Sequence, residues 1–121
     1  MSDQKRTIDD LKNSIKEFCE DRNWDQFHGP KDLAIGLSTE ANELLEIFRF
    51  KSDEQIKEML SDAKVRREIA DELVDSMFFV LRFAQLFEFD LSHCHDRKMQ
   101  RNAEKYPVEK AKNQNQKYDQ L

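Results

Sequence analysis

Apolar residues recur at helical spacing through most of the chain, and five stretches each predict an amphipathic helix. Side chains three and four residues apart share a helix face, so each stretch gathers its apolar side chains on one side. The predicted helices cover about residues 8–22, 30–50, 53–60, 63–89 and 91–106. No stretch alternates as a half-buried strand does. The pattern predicts an all-α fold, a four-helix bundle with one additional short helix.

Polar residues that typically cap a helix precede four of these stretches: Thr7 with Asp10, Ser52 with Gln55, Asp62, and Asp90. Pro107 ends the last helix, and the segment after it is polar and without periodicity. We therefore expect one helical domain over residues 1–106 and a polar tail over residues 107–121. The tail is expected to be mobile or ordered only by a partner subunit.

Two of the predicted helices carry an acidic residue inside the apolar stripe. Glu40 falls within the stripe of the second helix and Glu43 lies at its border. Glu72 and Asp75 repeat this arrangement on the fourth helix. An unpaired buried charge costs several kcal/mol or forces a pKa shift, so a cation should meet these acids. Packed side by side, the two helices would gather four carboxylates, a donor set that suits Mg²⁺ or Mn²⁺ rather than zinc.

Composition narrows the class of protein. A single domain is the simplest interpretation of 121 residues, and the formal net charge of −5 argues against a general nucleic-acid or anionic-membrane binder. Cys19 and Cys94 have no metal-binding spacing and are expected to be reduced core thiols. No apolar run reaches the length of a membrane span and no signal-peptide core is present, so we expect a cytoplasmic protein with neither membrane nor nucleic-acid partners.

The spacing of the acids continues into a longer motif. E-x-x-E and E-x-x-D are separated by 28 residues and followed by K-x-x-x-N-x-x-K-Y-P, which begins at Lys98. This composite resembles the MazG-like, all-α nucleoside triphosphate pyrophosphohydrolases over about residues 5–110. RNWDQFHGPKDL, EIADELVDSMFF and RKMQRNAEKYP are similar in particular to the dCTP pyrophosphatase branch of that family.

The resemblance implies Mg²⁺-dependent conversion of a (deoxy)nucleoside triphosphate to monophosphate and pyrophosphate, as in nucleotide-pool sanitation. It implies that the four acids are the catalytic metal ligands. The residues it implies for substrate binding are Trp24, His28, Phe50, Phe79, Lys98, Asn102, Lys105 and Tyr106. That branch tends to have Trp at position 50, Tyr at 79 and His near 15, so the choice of base, dCTP or a related pyrimidine, stays open here.

Several alternatives remain at this level. Trp24 and Phe27 equally suit a loop pinned to the core, and each acid pair alone suits a solvated helix face. A di-iron bundle would need E-x-x-H in place of these pairs. A non-enzymatic interaction module would pair the acids with Arg49, Arg82 or Lys98 as structural salt bridges.

The fourth helix is apolar over more than half of its circumference, which predicts a homodimer, or a homotetramer as the resemblance implies.

Overall fold

The computed structural model describes all residues from 1 to 121 and is helical throughout. The helices are α1 (Ile8–Asp21), α2 (Pro30–Phe48), α3 (Asp53–Met59), α4 (Ala63–Leu86), α5 (Leu91–Lys105) and α6 (Val108–Ala111), with short 3₁₀ turns at Asp25–Phe27 and Tyr118–Gln120. The predicted all-α class, with four main helices and a short one, is confirmed. The four-residue α6 was not expected from the polar sequence that contains it.

Side chains a few residues apart in sequence cap the starts of four of these helices. The Thr7 hydroxyl accepts a hydrogen bond from the Asp10 amide at 3.1 Å, and the Asp10 carboxylate accepts one from the Thr7 amide at 2.8 Å. Ser52 and Gln55 make the same reciprocal pair at α3. The Asp62 and Asp90 carboxylates cap α4 and α5. These contacts satisfy amides that a helix start leaves without partners.

Two helix ends come earlier than the apolar pattern predicts. Helix α2 ends at Phe48 and α4 ends at Leu86. Phe50 and Glu88 then take left-handed backbone conformations, with φ of 63° and 61°. Glycine normally marks such a position, and neither end has one. The sequence therefore lacked the usual stop signal.

Residues 1–88 and 89–121 form two compact units. In the first unit α4 packs against both α2 and α1. The buried apolar residues are Cys19, Leu33, Leu81 and Ala84. Gly36 of α2 lies so close to the Phe79 ring of α4 that a Cβ there would be 2.6 Å from Phe79 Cζ. Glycine at this position is therefore what allows the two helices to pack with Phe79 between them.

The second unit contains α5, α6 and the last 3₁₀ turn. Within it, Tyr118 meets the ring of Tyr106 edge to face at 6.1 Å, and the Lys105 ammonium lies 4.8 Å from the centre of the Tyr118 ring. The domain boundary expected at residue 106 stays a prediction.

Cys19 and Cys94 are both free thiols, as expected, with Cys19 buried and Cys94 half-buried. None of the helices combines the length and the apolar character that crossing a bilayer requires.

Candidate active site

Helices α2 and α4 bring the acidic pairs to one place. Glu40 and Glu43 are a turn apart on α2, and Glu72 and Asp75 are a turn apart on α4. Because the two helices pack together, one carboxylate oxygen from each of the three glutamates lies within 4.8 Å of the others. Asp75 lines the same cleft as Glu40. Carboxylates at this separation repel one another strongly when ionised.

The surroundings of these acids disfavour their charged forms. Burial raises the pKa of Glu40 to about 7, with a further contribution from contact with Glu43 and from its charge. Burial also raises the pKa of Glu72, and contact with the Glu43 carboxylate and its charge raise it further. Glu40 Oε2 and Glu72 Oε2 are buried and have no hydrogen-bond partner. Buried polar atoms normally have one, so both oxygens are available to a ligand.

The cluster fits a hard divalent cation. Its donors are carboxylate oxygens only, the ligand type that Mg²⁺ and Mn²⁺ prefer, and it contains neither histidine nor cysteine. The cations that a salt-bridge module would use are engaged elsewhere. Arg49 pairs with Glu46, Arg82 with Asp25, and Lys98 hydrogen-bonds Asn102. The orphaned oxygens and this donor set together favour a metal over structural salt bridges.

A cleft of about 450 Å³ adjoins the carboxylates. Besides Glu40 and Asp75, it is lined by Ser14, Ile15, Phe18, Trp24, Phe78 and Phe79. Phe18 and Trp24 pack edge to face with their ring centres 5.5 Å apart, and Phe78 and Phe79 do so with ring centres 5.2 Å apart. The volume suits a small molecule, and flat rings beside carboxylates suit a ligand with one planar end and one metal-bound anionic end.

Comparison with known proteins identifies the family. The MazG-like family model matches residues 35–121. The chain belongs to the MazG-like family. MazG-like relatives of this chain include dCTP pyrophosphatase 1 of Rattus norvegicus, 32% identical over 95% of this chain and 68% of the relative, and that of Homo sapiens, 30% identical over the same shares. A crystal structure of a pyrophosphatase from Archaeoglobus fulgidus matches with a TM-score of 0.76 and 31% identity, over 88% of this chain and 98% of that one.

These findings confirm the resemblance to the dCTP pyrophosphatase branch. Two of the eight predicted substrate residues, Trp24 and Phe79, line the cleft. His28 does not line the cleft but lies against the Trp24 ring at 6.0 Å. Phe50 is 88% exposed, and the Arg49 guanidinium lies over its ring. A direct role for His28 or Phe50 in substrate binding stays a prediction.

The remaining predicted residues lie in the unit formed by residues 89–121. Lys98 Nζ donates a hydrogen bond to Asn102 Oδ1 at 2.9 Å, one turn further along α5. Lys105 and Tyr106 contact Tyr118. The stripe of Lys98, Asn102 and Lys105 recurs with helical spacing, as the sequence predicts. Its role in this MazG-like protein stays a prediction.

Three features of the site were not found from the sequence. Ser14 is the one hydroxyl side chain that lines the cleft, and its helical spacing alone does not distinguish it from a solvated serine. Gly36 was not singled out, although a glycine inside a helical pattern is itself a signal of close packing. Arg82 was considered only as a partner for the acids. It is fully buried and binds Asp25 and His28 instead.

Proposed function

We propose that this chain is a divalent-metal-dependent nucleoside triphosphate pyrophosphohydrolase that converts dCTP or a related pyrimidine triphosphate to monophosphate and pyrophosphate. The observation that carries the proposal is the meeting of three glutamate oxygens within 4.8 Å, two of the carboxylates having an orphaned buried oxygen, beside an aromatic cleft. Membership of the MazG-like family supports this activity.

Glu40, Glu43, Glu72 and Asp75 would hold Mg²⁺, with Mn²⁺ as a substitute. When bound, the ion would neutralise the phosphate oxygens and lower the pKa of a water molecule. The carboxylates themselves keep the charge of the site negative when it is unloaded, so a free nucleotide is repelled until its phosphates are neutralised. Their clustering on two packed helices fixes their positions before substrate arrives.

The aromatic cleft would take the base. Trp24 and Phe79 offer ring faces or edges to it, and stacking needs no particular base edge. Lys98, Asn102, Lys105 and Tyr106 would contact the outer phosphates or the sugar, the lysines acting as point charges. These roles follow from the family resemblance.

The preference for a pyrimidine rests on the names of the relatives, which are dCTP pyrophosphatases. Apart from the two acids, the side chains that line the cleft offer two polar groups, the Ser14 hydroxyl and the Trp24 indole N–H. Few groups are therefore present to read the hydrogen-bonding edge of cytosine, and we expect a smaller discrimination between pyrimidines than a hydrogen-bonding pocket would give.

Hydrolysis of a panel of all common dNTPs and NTPs, with and without Mg²⁺, tests the proposal. Products should be resolved by ion-exchange chromatography, because monophosphate plus pyrophosphate distinguishes this reaction from removal of the γ-phosphate. Glu40→Gln should abolish turnover, whereas Glu46→Gln, on the exposed side of the same helix, should retain it. No metal-dependent turnover of any nucleotide would refute the proposal.

We further propose that the chain self-associates as a homodimer or homotetramer. Large apolar side chains on α2 and α4 are exposed, among them Ile35 and Leu45 on α2 and Leu73, Val74 and Val80 on α4. An apolar surface of this kind is typical of an interface between subunits. Light scattering coupled to gel filtration measures the mass directly, and a mass of one chain at micromolar concentration would contradict this part of the proposal.

A further inference from the structure

Arg82 is the one charged residue whose side chain is fully buried, with none of its surface exposed. It lies on α4, one turn beyond Phe79 of the cleft. A buried charge is costly unless it is paired and hydrogen-bonded. The partners of Arg82 therefore indicate what its position is for.

Each guanidinium nitrogen has a partner. Nε donates to His28 Nδ1 at 2.9 Å, Nη1 donates to Gln85 Oε1 at 2.6 Å, and Nη2 pairs with the Asp25 carboxylate. Gln85 lies on the same helix, but Asp25 and His28 are more than fifty residues away in sequence. With its nitrogens engaged and no surface exposed, Arg82 is not placed to contact a phosphate.

The two distant partners bracket the 3₁₀ turn that follows Trp24. Asp25 begins this turn and His28 directly follows it. The other hydrogen bonds of the turn are local, such as the Trp24 amide to the Cys19 carbonyl at 3.0 Å and Gln26 Nε2 to the Asn23 carbonyl at 2.9 Å. The hydrogen bonds between this turn and α4 thus come from Arg82.

The position of the turn decides where the Trp24 ring lies. Trp24 is adjacent to Asp25 in sequence, and its ring contacts Phe18 at 5.5 Å on one side and His28 at 6.0 Å on another. Trp24 is still 36% exposed and lines the cleft. The buried remainder of Trp24 packs against neighbours such as Phe18 and His28, but apolar burial is not directional. Hydrogen bonds from α4 to the adjacent turn therefore set an orientation that burial alone leaves open.

We infer that Arg82 is a positioning residue for nucleotide binding, which ties the Asp25–His28 turn to α4 and thereby fixes Trp24 in the cleft that takes the base. The inference rests on the proposed function. Arginine suits this task because its planar fork sets the direction of several hydrogen bonds at once, whereas an apolar side chain would fill the same space without orienting the turn.

Asp25→Ala is the most direct test, because Asp25 is half exposed and its removal leaves little void. The buried Arg82 then loses its one anionic partner, so the melting temperature should also fall, and KM is measured well below it. With saturating Mg²⁺, we expect KM for dCTP to rise about ten-fold, the scale of a lost base-stacking contact, and kcat to change by less than about two-fold. Mn²⁺ affinity should be unchanged. Asp25→Asn, whose amide oxygen still accepts a hydrogen bond, should restore part of the KM.

Trp24 is the only tryptophan in the chain, so its fluorescence reports the same turn without any turnover. Acrylamide should quench it more strongly, and its anisotropy should be lower, in Asp25→Ala and in Arg82→Lys than in the unaltered protein. Asp21→Ala, the same change on an exposed residue at the end of α1, is the matched control and should leave both signals and KM unchanged.

The outcomes separate the two claims. A lower melting temperature in Asp25→Ala and Arg82→Lys with unchanged KM and unchanged quenching would overturn the inference and leave a purely structural ion pair. Absence of turnover by the unaltered protein would remove the proposed function itself. A higher KM that is matched by an equal loss of Mn²⁺ affinity would also overturn the inference, because the effect would then reach the carboxylates rather than the base.

Discussion

Lowering the pH from 8 to 6 should weaken divalent-metal binding, because the metal competes with a proton at Glu40. The pKa of this carboxyl is raised to about 7, first by burial and then by Glu43. A metal ligand must be deprotonated. A carboxyl at its ordinary value of 4.5 is ionised at both pH values, so an unperturbed site would bind equally well at pH 8 and at pH 6.

The size of the effect follows from the pKa. A group with a pKa of about 7 is roughly 90% ionised at pH 8 and roughly 10% ionised at pH 6. Apparent affinity should therefore fall about ten-fold over this range from Glu40 alone. Glu72, whose pKa is also raised, adds to the fall in the same direction.

Isothermal titration calorimetry with Mn²⁺ measures both the affinity and the proton. Titrations at pH 6, 7 and 8 give the dissociation constants. At pH 7, titrations in two buffers of different ionisation enthalpy should show release of about half a proton from Glu40 on binding. Glu46→Gln should behave as the unaltered protein does, whereas Glu40→Gln should bind weakly and lose most of the pH dependence. Affinities that agree within two-fold at pH 6 and pH 8, with no proton release, would refute the reasoning.

Three further outcomes follow from the structure. In metal-free protein, stability should fall as pH rises from about 4.5 to 7, because the folded chain holds a proton on Glu40 that the unfolded chain has released; Glu40→Gln should therefore melt at a higher temperature than the unaltered protein at pH 8. Gly36→Ala should lower the free energy of unfolding in urea by about 1–3 kcal/mol, because its Cβ would overlap the Phe79 ring. Cys19 should react with a thiol reagent only on unfolding, since it is fully buried and burial raises its pKa.

Matched controls exist for these outcomes. The melting difference for Glu40→Gln should vanish near pH 4, where both states carry the proton. Gly29→Ala places a Cβ 3.1 Å from the movable Asp32 carboxylate rather than from a packed ring. Its cost should stay below about 1 kcal/mol and come from the weaker preference of alanine for the N-cap position. Equal costs for the two glycine changes would contradict the packing argument. Cys94, which is half-buried, should react before Cys19.

Local capping signals accounted for the starts of four of the five predicted helices. Thr7, Ser52, Asp62 and Asp90 are all caps in the structure, because capping depends on residues a few positions apart. The acids were predicted for a related reason, as periodicity alone places Glu40 and Glu72 inside the apolar stripes of two helices, with Glu43 and Asp75 at the borders. The ends of α2 and α4 were less predictable, because the left-handed residues after them are not glycines.

The parts that escaped prediction depend on contacts distant in sequence. The pairing of Arg82 with Asp25 and His28 joins residues more than fifty positions apart, and nothing in the local pattern selects one arginine over another. Whether Trp24 faces a cleft or the core also depends on how α1 and α4 pack. The structure does not pin this loop to the core through its aromatic rings, since Phe27 is 62% exposed and Trp24 is partly exposed in the cleft. Asp25 and His28 tie the loop to α4 instead, through Arg82.

The helix that carries Glu40 and Glu43 begins differently from α1, α3, α4 and α5. Gly29 stands at its start and supplies no side-chain hydrogen bond, whereas a Thr, Ser or Asp side chain closes the start of each of those four. The first amides of α2 that still carry hydrogen, at Lys31 and Asp32, are thus without a side-chain cap. They should exchange with deuterated solvent faster than the first amides of α4, which Asp62 protects. Of the two helices that carry the acids, α2 should therefore open locally at its first turn more readily than α4.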